Sequence, residues 1–391
     1  MGAEAPHERV ILGGGLMGLA IAHQLARRGW AVRVISRDRK EAAGFVAAGM
    51  LAPHAEGLQG DLLALGQASL QRIPAWVAQI EADSGLSCGY RPCGIVVPFA
   101  TAAERDAYPT AAWGERLDRS GLVREVPGIG PAWQAGLLFA RDGQIDNRRR
   151  LMRALERACT QLGVAFEEGC SVERLRTTNG DGGLPQLEGV ELLEATGERR
   201  RLACTQAVLA CGAWSGQLLP QLPVLPVKGQ MLSLQGPQQA LGRVVFGPGT
   251  YLVPRNDGLL VVGATSEPEA GFAGGLTPFG QRQLQQGITA LLPEAAAWPP
   301  MERWWGYRPC TPDEGPLLGP GPLTGLWLAT GHYRNGVLLA AITAELVAGA
   351  ISAAAGGQGL GPAEQQLLEA FSYRRFGSTP QPSDQPSTRQ T

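Results

Sequence analysis

Histidine and lysine are scarce in this chain, and the scarcity removes several chemistries at once. The four histidines, His7, His23, His54 and His332, show no Cys-His ligand spacing, and no GxSxG elbow occurs, so neither a metallohydrolase nor a serine hydrolase is supported and no metal is expected. Cysteine numbers seven (Cys88, Cys93, Cys159, Cys170, Cys204, Cys211 and Cys310), an odd count scattered without a CxxC pair, which fits reduced cytosolic thiols rather than a disulfide framework. Charged residues make up only 18% and the formal net charge is −1, leaving no basic stripe for nucleic acid and no acidic tail. A small uncharged or zwitterionic partner fits better. Lys40 and Lys228 are the only lysines; the arginine bias is compositional and marks no site. The opening MGAEAPHERV lacks the charged-then-apolar layout of a secretory signal, so a cytoplasmic protein is expected. One run, residues 337–355, reaches membrane-spanning length, but it carries Glu345 and several small residues. A buried helix is expected there, and no membrane.

What is present is a chain of 391 residues, 44% hydrophobic, long enough for two domains with sizeable cores. Residues 9–13 read as a buried strand, 16–28 as a helix and 31–35 as a second strand, a βαβ opening. Further strand candidates are 94–99, 206–210, 227–234, 251–254, 259–263 and 326–330; helical periodicity marks 62–81, 149–162 and 279–292. Strands and helices interleave without strict alternation, the pattern of an α/β nucleotide domain interrupted by a mostly antiparallel α+β second domain. The tail GSTPQPSDQPSTRQT is polar and proline-rich, and disorder with dispensability for activity is expected.

Gly13-x-Gly15-x-x-Gly18 follows the first strand and opens the first helix, as a dinucleotide fingerprint requires. Gly13 allows the tight turn, Gly15 lets a pyrophosphate approach the backbone, and Gly18 lets helix and strand pack closely, with Leu16 and Met17 in the first turn. At the end of the second strand Ser36 stands where an acidic ribose ligand is expected, followed by Arg37 and Asp38. Arg37 leaves room for a 2'-phosphate, so this motif alone does not separate a flavin from NADP.

Two further segments separate them: Ala47-Ala48-Gly49-Met50-Leu51 and Gly331-His332-Tyr333-Arg334-Asn335-Gly336-Val337-Leu338. They resemble the flavin-contacting loop and the C-terminal loop and helix start of the glycine oxidase branch of the D-amino acid oxidase family. A helix beginning near Gly336 would direct its N–H groups and dipole at the flavin N1 and C2 carbonyl, where charge accumulates on reduction. Ser171-Val172 and Cys211-Gly212-Ala213-Trp214 resemble smaller nucleotide contacts of the family, with Cys211 serving packing alone. The resemblance runs to about Phe376. It implies a Rossmann-type, glutathione-reductase-like FAD domain (1–88, 145–225 and 305–376), a substrate domain (89–144 and 226–304) and a disordered tail (377–391). It also implies FAD contacts at Ala43, Gly44, Ala48, Gly49 and Met50, at Ser36 and Arg37, at Val172 and Gly212, and along His332 to Leu338. The FAD should be non-covalent, because family members with a covalent link use a cysteine where Gly306 stands here.

For the substrate, the resemblance implies a carboxylate held by Arg308 and Tyr251, with Arg334 as a second guanidinium nearby. A planar arginine fork can meet both carboxylate oxygens at once. No protein base is required, since a neutral amine can give up its Cα hydride directly. The expected reaction is oxidation of glycine by O2 to an imine, then glyoxylate, ammonia and hydrogen peroxide. In the family the imine can serve as a thiazole precursor for thiamine, and a homotetramer and a link to thiazole synthase come with the resemblance. The alternatives are a sarcosine or D-amino acid oxidase, with Ser266 at a roomier pocket wall, an NADP-dependent dehydrogenase, and a flavin binder without catalysis.

Overall fold

The computed structural model describes residues 8–179 and 184–377. Residues 1–7 and all of the expected disordered tail beyond Gly377 lie outside the described residues.

The opening strand Arg9–Leu12 is buried along its whole length, as a central parallel strand must be. It lies between the parallel strands Val32–Ser36 and Ala207–Leu209. Ala165–Glu168 and Leu326–Thr330 extend the sheet in parallel, and Leu317–Pro320 closes one edge antiparallel. Alternating side chains feed two cores. Ile11, Val34, Val208 and Ala329 face the helices Leu16–Arg27, Gly60–Ser84, Met152–Gln161 and Gly336–Ala354. Val10, Leu12, Ile35 and Leu209 face a three-stranded antiparallel sheet, Cys170–Asn179, Pro185–Glu194 and Arg199–Ala203. The helix Gly336–Ala354 is, among the described residues, the one helix long and apolar enough to cross a membrane by length and composition, and it is buried inside this core.

A second, eight-stranded sheet runs in the order Pro300–Cys310, Leu225–Gln235, Leu259–Gly263, Thr250–Pro254, Val244–Gly247, Ile95–Phe99, Ala135–Phe139, Glu115–Leu117. It is antiparallel except where Val244–Gly247 pairs with Ile95–Phe99. The helix Pro278–Leu291 covers one face through Leu284 and Ile288, packed on Val262, Leu252 and Leu234. The opposite face, with Met231, Val253 and Val261, packs on Ala48, Ala52 and Ala55 of the first domain's loop. That contact brings the two sheets to one site. The strand Pro300–Cys310 runs through the expected boundary between residues 304 and 305.

Several expected elements change at their ends. The first strand stops at Leu12, because Gly13 turns with φ +112. The helix expected at 149–162 opens with a π-helical turn, Asn147–Leu151, before Met152–Gln161. His23 does more than pack: its buried ring meets Asp83 at 2.8 Å, although burial lowers its pKa. Cys211 likewise makes a contact beyond packing, Sγ to the Leu12 carbonyl at 3.3 Å, and it lines the main cavity.

Candidate functional site

A cavity of about 520 Å³ lies where the carboxyl ends of the parallel strands meet the second sheet. Gly13, Gly15, Leu16 and Met17 form one end. The helix that starts there has Gly15 as N-cap and no side-chain cap, so its first N–H groups are left for a ligand. A Cβ on Gly13 would overlap the Ala210 carbonyl, and one on Gly18 would overlap the Gly13 carbonyl. Gly18 therefore shapes the cavity from beneath without lining it. Beyond the turn, Ser36, Arg37, Val172, Gly212 and Trp214 complete this end. Arg37 pairs with Glu41 and stands over the Trp214 ring, 5.1 Å from its centroid.

The loop containing Ala43, Gly44, Ala48, Gly49 and Met50 forms the middle wall and is clamped from outside. The Asn147 amide donates to the Gly44 carbonyl, and the Trp304 indole N–H donates to Val46 O at 2.9 Å. Arg255, buried and held by Gln144, donates to Ala48 O at 2.6 Å. Burial brings the pKa of this guanidinium down to about 10.

Opposite, the helix Gly336–Ala354 points its N-terminus into the same cavity through Gly336 and Val337. Its N-cap, Asn335, supplies no side-chain bond, and neither Asn335 nor Leu338 lines the cavity. Leu338 instead packs against Gly66, and its carbonyl accepts from Ser69 Oγ at 2.5 Å. His332 is fully enclosed, its Nε2 3.0 Å from Thr343 Oγ1, and burial holds its pKa down at about 3. It is neutral at physiological pH.

Tyr251, Arg308, Tyr333 and Arg334 form the far end, and the same four residues line an adjoining cavity of about 360 Å³ that reaches Ser266. Arg308 donates to Thr265 O at 3.1 Å, and among the described residues no carboxylate lies within ion-pair distance of it. Its guanidinium lies where a Cβ on Gly229 would be, so the neighbouring strand can carry only glycine there without displacing it. Burial pushes the Tyr251 phenol upward, opposed by Arg308, so the phenol stays protonated at neutral pH. Arg334 faces Glu56, with Nε 3.6 Å from Oε2. Burial pushes the Glu56 carboxyl upward, and the guanidiniums of Arg334 and Arg308 oppose that push.

The family of FAD-dependent oxidoreductases matches this chain over residues 9–350. The chain belongs to that family. It is 41% identical over 381 residues to the bifunctional protein ThiO/ThiG of Synechocystis sp., covering 95% of this chain and 54% of that protein. The chain thus spans about half the length of the bifunctional relatives it matches. It is 31% identical to the glycine oxidase of Pseudomonas aeruginosa, covering 88% of this chain and 94% of the relative. The crystal structure of glycine oxidase from Geobacillus kaustophilus superposes with a TM-score of 0.83 at 28% identity, covering 94% of this chain and 99% of that one.

As an FAD-dependent oxidoreductase the chain needs an elongated site with anion-binding backbone at one end and room for a substrate at the other. The residues present fit: two uncapped helix N-termini open on one cavity, and the glycines beside the first admit no side chain. The FAD family removes the NADP alternative, and Arg37, the residue that raised it, is engaged by Glu41 and Trp214. Glu56 and Arg255 were not singled out from sequence. The signal available for Glu56 was a lone acid in the stretch MLAPHAEG, apolar but for His54; nothing comparable flags Arg255 among so many arginines.

Proposed function

We propose that the chain is a glycine oxidase: glycine, O2 and water give glyoxylate, ammonia and hydrogen peroxide. The observation that carries this reading is Arg308, a guanidinium with no carboxylate partner among the described residues, set beside Tyr251 at the junction of the two cavities. Arg308 takes the substrate carboxylate with paired N–H donors, and the protonated Tyr251 hydroxyl donates a further bond. The carboxylate is thereby fixed and the adjacent Cα is presented in one orientation, so positioning does most of the work. His332, neutral and bonded to Thr343, takes no proton from the substrate. When bound, FAD supplies the hydride acceptor and the route to O2. The helix starting at Gly336 stabilises negative charge that develops at its N-terminus.

The FAD is held non-covalently in this reading, because Gly306 lines the cavity whereas Cys310 does not. Acid precipitation should leave the yellow colour in solution. Among the described residues the FAD-binding part comprises 8–88, 145–179, 184–224 and 311–376, with the substrate boundaries moved to include Leu225–Gln235 and Pro300–Cys310 because those strands are hydrogen-bonded into the eight-stranded sheet. Supply of the imine to thiazole synthesis rests on the likeness to ThiO/ThiG, and a homotetramer, checked by light scattering, on the family resemblance. A cytoplasmic location is part of this proposal, supported by the core packing of the one long apolar helix among the described residues.

The adjoining cavity beside Tyr251 and Arg308 favours a second reading, oxidation of sarcosine or a small D-amino acid. A panel of glycine, sarcosine and D-alanine, read by peroxide and by keto-acid product, separates them. Peroxide formation led by glycine is expected; a holoprotein silent on all three would sink both.

A further inference from the structure

Glu56 is an acid in a wall that otherwise offers guanidiniums and phenols. Its side chain is 9% exposed and faces Arg334 at 3.6 Å. The short loop that carries it is fixed on all sides. His54 N and Ala55 N donate to Asp142 at 3.2 and 2.8 Å, and the His54 ring meets the other oxygen of that carboxylate at 2.6 Å. Thr110 Oγ1 donates to His54 O at 2.6 Å, and Tyr108 OH to Ala55 O at 2.7 Å. Glu56 N closes back on Ala52 O at 3.0 Å. These bonds hold the backbone that carries Glu56 at one place against the cavity, and the carboxylate itself meets Arg334 at 3.6 Å, at the cost of burying a charge.

The local charges can be accounted for. Burial raises the Glu56 pKa, and Arg334 at 3.6 Å together with Arg308 opposes that rise; ionised in this pair, Glu56 sets one negative charge against the two positive charges of Arg308 and Arg334. Asp142 is already engaged by His54 and two amides, and Glu314 is exposed to solvent and screened. Arg334 is itself 43% exposed, so solvent screens part of its charge as well, and at most one uncompensated positive charge remains, on Arg308. Resting on the amino acid oxidase reading above, we propose that Glu56 sets the charge of the substrate: by neutralising Arg334 it leaves one uncompensated guanidinium, so the site takes amino acids with a single carboxylate and rejects N-substituted glycines bearing a second anionic group. The adjoining cavity has room for such a group, and Arg334 lines it, so charge rather than size excludes dicarboxylates. A specificity residue of this kind works by repulsion as much as by attraction.

The test compares wild type with Glu56→Gln and Glu56→Asp as FAD-loaded proteins. Binding of acetate and of malonate is read from flavin absorbance without turnover, and kcat/KM is measured for glycine and iminodiacetate. In Glu56→Gln the malonate-to-acetate affinity ratio and the iminodiacetate-to-glycine kcat/KM ratio should both rise on the order of tenfold or more, as expected for loss of one buried charge near the second carboxylate. Glu56→Asp should stay near wild type in both ratios. Unchanged ratios in Glu56→Gln, or an equal rise in Glu56→Asp, would overturn the proposal. Should Glu56→Gln fail to retain FAD, Arg334→Gln decides by the same binding ratio: with Glu56 then uncompensated, malonate must lose more affinity than acetate, and an equal loss contradicts the assignment. Wild-type inactivity on glycine with an intact acetate and malonate response would strike the oxidase reading and leave the charge assignment standing.

Discussion

One end of the cavity is built around the backbone turn Gly13 to Met17, completed by Ser36, Arg37, Val172, Gly212 and Trp214, whereas the other end is dominated by charged and phenolic side chains from distant segments, Glu56, Tyr251, Arg308 and Arg334. The turn itself tolerates no side chain at Gly13 or at Gly18, since a Cβ at either meets a carbonyl oxygen. The second is tuned by charge: one free guanidinium, one paired, and a phenol that stays protonated. Binding the cofactor and choosing the substrate are therefore separable, and variants should divide along the same line.

The largest effect is expected at the backbone end. Gly18→Val drives a branched side chain into the Gly13 carbonyl, costing about 3 kcal/mol or more and leaving protein with little or no flavin, as read by the visible spectrum of the purified chain. Full flavin content in that variant would mean the helix start does not hold the nucleotide. At the other end, Arg308→Ala should lower kcat/KM for glycine by roughly 10- to 100-fold, the worth of a charge-assisted contact of about 1.5–3 kcal/mol, with FAD content unchanged. Normal kinetics would exclude Arg308 as the carboxylate anchor, and lost FAD would erase the division between the two ends.

Residues lying between the ends carry smaller effects. The pKa of His332 is held at about 3 by burial. Below its ordinary value near 6.5 the unfolded chain takes up a proton that the folded chain refuses, so stability present above that pH is lost as pH falls. Between pH 6.5 and 5 the loss is about 2 kcal/mol, and His332→Asn should escape it, shown by a flatter decline of Tm over pH 7 to 5. An identical decline in wild type and variant would place the acid sensitivity elsewhere. Arg255→Gln removes the donor to Ala48 O and should weaken FAD binding by about 1 kcal/mol, several-fold in Kd, while leaving the KM for glycine of the loaded enzyme in place.

How much was legible in the sequence follows the same division. The βαβ opening could be read to within a residue or so because a buried parallel strand and a glycine turn are local patterns. The flavin loop and the Gly336 helix start came from family resemblance, and both line the cavity. The sheet of Cys170–Asn179, Pro185–Glu194 and Arg199–Ala203 was missed because its outer face is polar, with Arg176 pairing to Glu188 and Glu191, and Arg199 to Glu173. Those side chains mask the apolar alternation facing Val10 and Leu12. Glu56 was hidden for a different reason. Its role depends on Asp142, Thr110 and Tyr108, which are distant in sequence and hold the loop only after folding.

In the proposed reading one polypeptide holds FAD along the main cavity and presents a single-carboxylate amino acid to it from Arg308 and Tyr251. The most direct measurement is anaerobic addition of glycine to the FAD-loaded protein, followed in the visible spectrum. Saturable loss of the oxidised flavin bands with glycine, and their return on admitting O2, are expected. Oxidised bands that persist at saturating glycine while the FAD stays bound would contradict that reading.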